Sequence, residues 1–208
     1  MGIENFVTFM VSALLFIMTP GLDTFLVLNK SLGRGRKSGI QAALGVNVGI
    51  LTHTLCAAMG VSVLLAKSAF AFAAVKYLGA AYLIYLGVAT YRKRTDFDGL
   101  EQLSTNGQKV KSDFWSGFLT NSLNPKVALF FVAFFPQFIS ANQIHNPMPY
   151  VMLGVTYAFI GVVWYIILTL FASVFSNQIK ENPSSSKLLN KIGGLAFISM
   201  GIKIAFFK

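Results

Sequence analysis

Asp23 and Lys126 are the two charges that stand beside a proline within the apolar stretches of this 208-residue chain. The first cluster reads Thr19-Pro20-Gly21-Leu22-Asp23. The second reads Asn121, then Asn124-Pro125-Lys126. Proline inside a helix removes a backbone donor and clashes with the preceding turn, so Pro20 and Pro125 read as helix breaks. Gly21 loosens the first break further, and the Asn124 amide is placed to bond backbone groups freed at the second. A carboxylate can hold an ammonium group or carry a proton, and a buried lysine can hold a carboxylate. Opposite charges at two breaks therefore suit a zwitterion such as an amino acid, with Asn121 and Asn124 adding hydrogen bonds.

Other polar residues in apolar surroundings are weaker candidates. His53, between Thr52 and Thr54, could relay protons, but a packed, hydrogen-bonded histidine is the commoner role at such a place. Asn47 lies between Gly45 and Gly49, a small-xxx-small spacing that lets helices approach. It either binds substrate or bonds across that contact. Trp115 and Trp164 read as packing or interface anchors. Ser62 and Ser173 lack a histidine and acid at plausible spacing, which argues against hydrolase chemistry. The single cysteine, Cys56, cannot form an internal disulfide, and with His53 and His145 it makes no metal set. No cofactor is expected.

These residues need elements to hold them, and composition states what kind. Hydrophobic residues make up 55% of the chain and charged ones 12%, against about 25% charged in soluble domains. Mean hydropathy is +0.65. A soluble enzyme, a disordered chain and a fibrous repeat are excluded; an integral membrane protein is expected. Six stretches approach the ~20 apolar residues that a transmembrane helix needs: 5–28, 38–66, 70–91, 114–139, 149–175 and 188–207. They are continuous rather than alternating, so helices are expected and not barrel strands. Glu4 and the lack of a small-x-small cleavage site make the first stretch a span rather than a signal peptide.

The net charge of +10 fits the excess of Lys and Arg in cytoplasmic loops, not a nucleic-acid surface. Twelve of the seventeen basic residues fall in the loops after spans one, three and five or at the start of span six, among them Lys30, Arg34, Arg36 and Lys37. Those loops are expected to face the cytoplasm and both termini the periplasm. The polar segment 95–112 divides the chain into three-span halves, 1–94 and 113–208. An odd number of spans per half predicts an inverted repeat. Weak matches support it: Thr19-Pro20-Gly21 with Asn124-Pro125-Lys126, Gly45-Val46 with Gly154-Val155, and Gly79 and Gly87 with Gly193 and Gly201. Counted from the cytoplasmic ends at the helical rise, Pro20 and Pro125 lie about 15 and 16 Å deep, near the midplane of a ~30 Å core. Asp23 lies about 10 Å deep and Lys126 about 18 Å, an offset that unwinding at Pro20-Gly21 would shrink toward an ion pair.

The chain resembles the LysE/RhtB family of bacterial amino-acid exporters, over nearly its whole length. The resemblance is carried by Thr19-Pro20-Gly21-Leu22-Asp23, by SLGRGRKSG at 31–39, by Ala43-Leu44-Gly45, by Tyr77-Leu78-Gly79-Ala80-Ala81-Tyr82-Leu83, and most specifically by GFLTNSLNPKVALFFVAFFPQF at 117–138. It implies six short helices in the inner membrane and efflux of amino acids or relatives by proton antiport. It implies functional roles for Pro20, Gly21, Asp23, Asn121, Asn124, Pro125 and Lys126. Two departures stand out. The usual Pro-Gly-Pro reads Pro20-Gly21-Leu22, and an acid frequent after a glycine in the second span is replaced by Ile50. Coupling would then rest on Asp23 or His53, or on another ion. The expected partners are an amino-acid substrate and the lipid bilayer, and a chain this small could bury more of its lipid face as a homodimer. The alternative reading is an exporter of metal or other small ions, which would want several acids, cysteines or histidines at one depth.

Overall fold

The computed structural model describes residues 2–61, 69–92 and 113–172, together with isolated residues between 191 and 206. The predicted linker, 95–112, lies outside the described residues, as does half of the sixth span. Seven helices carry the described fold: α1 (Phe6–Met18), α2 (Leu22–Arg34), α3 (Arg36–Cys56), α4 (Ala69–Arg92), α5 (Asp113–Ser122), α6 (Pro125–Phe134) and α7 (Pro147–Leu170). Short turns extend α3 through Ala57–Val61 and α6 through Phe135–Phe138.

Among the described residues, two helices are long and apolar enough to cross a membrane, Arg36–Gly60 and Pro147–Leu170. Two further spans are broken: α1 and α2 meet at 56°, and α5 and α6 with its turn meet at 50°. The expectation of an all-helical chain with broken first and fourth spans therefore matches the described elements.

Both breaks follow from local sequence. At the first, Thr19 is pushed out of the helical region by the proline after it, to φ −65° and ψ 118°. At the second, Leu123 ends the bonded run of α5. Pro125 then opens α6 at the first helical position, where no N–H is needed. The Asn124 side chain caps it, its Oδ1 accepting from Lys126 N–H at 3.0 Å. The same device starts α7, where Asn146 Oδ1 accepts from Met148 N–H beside Pro147.

Packing brings the two broken spans side by side. Phe16 of α1 stacks against Phe130 of α6 with centroids 4.0 Å apart, and Phe9 meets Phe135 edge-on at 5.3 Å. Beyond this aromatic seam the N-terminal segment is tied through backbone to the segment after α6: Ile3 and Ile139 form an antiparallel bridge, and Glu4 N–H donates to the Phe138 carbonyl at 2.8 Å. Toward the other end, α3 lies against α5 at backbone distance. Gly45 abuts the Phe114 carbonyl and Gly117 abuts the Ala42 carbonyl, so neither position has room for a Cβ. Gly87 of α4 similarly meets the backbone of Gly194. Large apolar side chains such as Val7, Leu78 and Phe159 point outward, as a lipid-facing surface requires.

Candidate functional site

The two breaks lie against each other, and each has freed backbone answered by a side chain from another span. In an uninterrupted helix the Thr19 carbonyl would accept from residue 23. Here it accepts instead from Lys126 Nζ at 3.3 Å. Pro125 has no N–H for the Asn121 carbonyl. That carbonyl accepts from Asn124 N–H at 2.8 Å and bonds His53 Nε2 at 2.9 Å. Because a carbonyl only accepts, His53 carries its proton on Nε2. Helical backbone freed at membrane depth must find such partners, and here they come from the α6 side for the first break and from α3 for the second.

Asp23 opens α2 and is 7% exposed. Its Oδ2 receives the side-chain amides of Asn121 at 2.9 Å and Asn124 at 3.3 Å. Its Oδ1 is buried and has no hydrogen-bond partner among the described residues. Asn121, 1% exposed, likewise has its Oδ1 unpartnered among them. Gly49 makes room for it: a Cβ there would stand 2.8 Å from Asn121 Cβ.

Asp23 and Lys126 line one cavity, with about 250 Å³ of unfilled space, part of it open to the surroundings. The free space within it is about 10 Å³, room for about one water and far below the ~300–1,000 Å³ of pockets for drug-sized ligands. Gly21, Thr24 and Asn124 complete its polar wall; Phe16, Ile17, Leu22 and Val127 form the apolar one. Lys126 Nζ also sits 4.6 Å from the centre of the Phe16 ring, which steadies a cation by its π face. Gly21 stands close to that ammonium, 3.4 Å from where a Cβ would be.

Of the nine residues expected from sequence, Gly21, Asp23, Asn124 and Lys126 wall the cavity. Asn121 and His53 stand behind Asp23 in one chain of hydrogen bonds. Pro20 and Pro125 make the breaks. Asn47 bonds the Ala43 carbonyl of its own helix at 2.7 Å, and its Oδ1 lies against Gly161 of α7. It bonds no side chain across the Gly45–Gly49 contact among the described residues, and it reaches α7 one turn from each of Tyr157 and Tyr165. Those two tyrosines, both buried, were not expected as walls. A signal for them was present: Tyr150, Gly154, Tyr157, Gly161 and Tyr165 recur on one face of an otherwise apolar span.

Comparison with known proteins agrees with this arrangement. The model of the LysE type translocator family matches residues 14–207. The leucine efflux protein of Klebsiella pneumoniae is 34% identical over 206 residues, covering 98% of this chain and 96% of its own. That of Salmonella typhimurium is 30% identical over 204 residues, covering 98% and 96%. An uncharacterized membrane protein of Bacillus subtilis, YrhP, is 33% identical over 199 residues, covering 92% and 93%. No solved structure matches the chain. A match over nearly the whole length, on a chain whose broken and unbroken spans enclose a charged cavity, makes it a multi-pass membrane transporter and not an enzyme: the chain belongs to the LysE type translocator family.

Proposed function

We propose that the chain exports amino acids or close derivatives across the bacterial inner membrane by secondary active transport, with protons as the counter-ion. The observation that carries this reading is the pairing of opposite charges on one cavity wall. Asp23 offers an unpartnered carboxylate oxygen for a substrate ammonium or a proton, and Lys126 offers an ammonium for a substrate carboxylate. Phe16, Ile17, Leu22 and Val127 give an aliphatic side chain an apolar wall. The leucine efflux proteins among the relatives support the same substrate class.

In this reading six spans form two inverted halves, 1–94 and 113–208. The 95–112 linker is cytoplasmic and both termini are periplasmic. Asn121 and Asn124 orient Asp23, while Pro20, Gly21 and Pro125 keep the backbone open at the midplane. Coupling runs through Asp23 or through His53, since Ile50 holds no proton. The test is uptake of a panel of labelled amino acids into inside-out vesicles, with and without an imposed pH gradient. Gradient-dependent uptake of one or a few of them is expected. No uptake of any, by correctly inserted protein, overturns the substrate class; uptake indifferent to the gradient overturns proton antiport alone.

A further inference from the structure

A second polar cluster lies at the far end of α5 from the cavity. Asp113, the first residue of α5, is 8% exposed although it adjoins the polar linker. Both of its carboxylate oxygens are occupied. Oδ1 pairs with Lys30 Nζ at 2.7 Å and with Arg34 Nη1 at 2.8 Å; Oδ2 accepts from Ser38 Oγ at 2.6 Å. Ser38 belongs to α3, which is locked to α5 by the glycine contacts at Gly45 and Gly117. Ser38 therefore aims the carboxylate within one rigid body. Lys30 and Arg34 belong to α2, on successive turns of one helix face.

Helix α2 is set between two loosened points. Its near end is Gly21, in extended backbone at φ −158° and ψ −170°. Its far end is Gly35, at φ 85°, a conformation that favours glycine. Neither Gly33 nor Gly35 has other atoms within 4 Å of a would-be Cβ, so space for rotation is present there. The first turn of α2 supplies Leu22, Asp23 and Thr24 to the cavity wall. Asp113 lies eight residues from Asn121, about 12 Å along α5, so the ion cluster ties the end of α2 away from the site to the start of α5. The opposite end is closed differently, by the backbone bridge of Ile3 and Ile139.

We infer that α2 is the gate of the cavity on the side of the basic loops, and that Asp113 is its latch. When Lys30 and Arg34 leave Asp113, α2 turns about Gly21 and Gly35. That motion carries Asp23 away from Asn121 and Asn124, so opening and disassembly of the site are one event. The inference rests on the transport reading above, but not on which substrate is carried.

The test uses the full chain with Cys56→Ser as background and a Val127→Cys reporter in the cavity wall. Each membrane face is exposed separately to an impermeant thiol reagent, and a Lys37→Cys reporter identifies the face on which Asp113 lies. With Asp113→Asn the cavity reporter is expected to label about fivefold faster or more, the lower end of coupling between linked states, from that face only. Lys30→Gln with Arg34→Gln should do the same, and all three together should add nothing further. Unchanged labelling overturns the latch, as does an equal rise from both faces. Should Asp113→Asn not accumulate in the membrane, the Lys30 and Arg34 pair decides alone, because those side chains are 21% and 44% exposed and tolerate change. Labelling needs no substrate, so a failed amino-acid panel leaves this result standing. Unchanged labelling beside working export rejects the gate alone.

Discussion

Asp23 receives two amides on one carboxylate oxygen and leaves the other unpartnered among the described residues. An unpartnered buried acceptor is costly, by about 1–3 kcal/mol or more for a charged group, unless something fills it during the working cycle. Asp23→Asn preserves size and can still accept from Asn121, but it removes the charge. Transport is expected to fall to background while membrane insertion stays normal; undiminished export would remove Asp23 from the mechanism. His53 poses a different question, because its Nε2–H completes the acceptor set of the Asn121 carbonyl at the Pro125 break. Gln can supply a comparable N–H and Ala cannot. His53→Ala should lose roughly 0.5–1.5 kcal/mol of hydrogen bonding and slow transport several-fold. His53→Gln should keep binding, so its response to a pH gradient tells whether His53 only positions Asn121 or also carries the proton.

Among the elements, the glycines of α3 make the clearest contrast. Gly45 faces the carbonyl of Phe114, a backbone group that cannot turn aside. Gly45→Ala should separate α3 from α5 at a cost of about 1–3 kcal/mol, read as a lower melting temperature in detergent and less protein in the membrane. Gly49 faces mainly the Asn121 side chain, 2.8 Å from a Cβ. Gly49→Ala should spare more of the stability and raise the substrate KM, by displacing the amide that holds Asp23; equal melting losses in the two variants would refute the distinction. The breaks at Pro20 and Pro125 were legible in sequence because proline acts on its own backbone, whatever surrounds it. Which side chain answers which freed carbonyl was not, since that depends on how two distant spans rotate against each other. Lys126 reads as a charge in search of a substrate, yet it also caps Thr19. Asp113 shows the same limit from the other direction. Next to a polar linker it reads as a solvated acid, and only the packing of α3 on α5 encloses it with Ser38, Lys30 and Arg34. Periodicity located the helix of the fifth span, but not that Tyr157 and Tyr165 would turn toward the cavity.

At the scale of the molecule, the first and fourth spans are held at three levels: backbone at one end, the crossed breaks in the middle, and ion pairs at the other end. The middle level runs one way, from the fourth span to the first. Lys126 serves the carbonyl of Thr19, and the amides of Asn121 and Asn124 serve the carboxylate of Asp23. Residues 1–94 and 113–208 produced alone should therefore be degraded, and co-production of the two should restore both their levels and transport; a stable lone first half would show that its break is satisfied from within. The same dependence of the first span on the fourth gives the chain a problem of timing. Asp23 emerges from the ribosome 103 residues before Lys126, which at ~5–20 residues per second is a delay of about five to twenty seconds. For that interval the nascent first span holds a carboxylate and an uncapped carbonyl with no mate yet made. It must linger beside water or the insertion machinery, and the pace of translation sets the earliest moment at which it can settle into lipid.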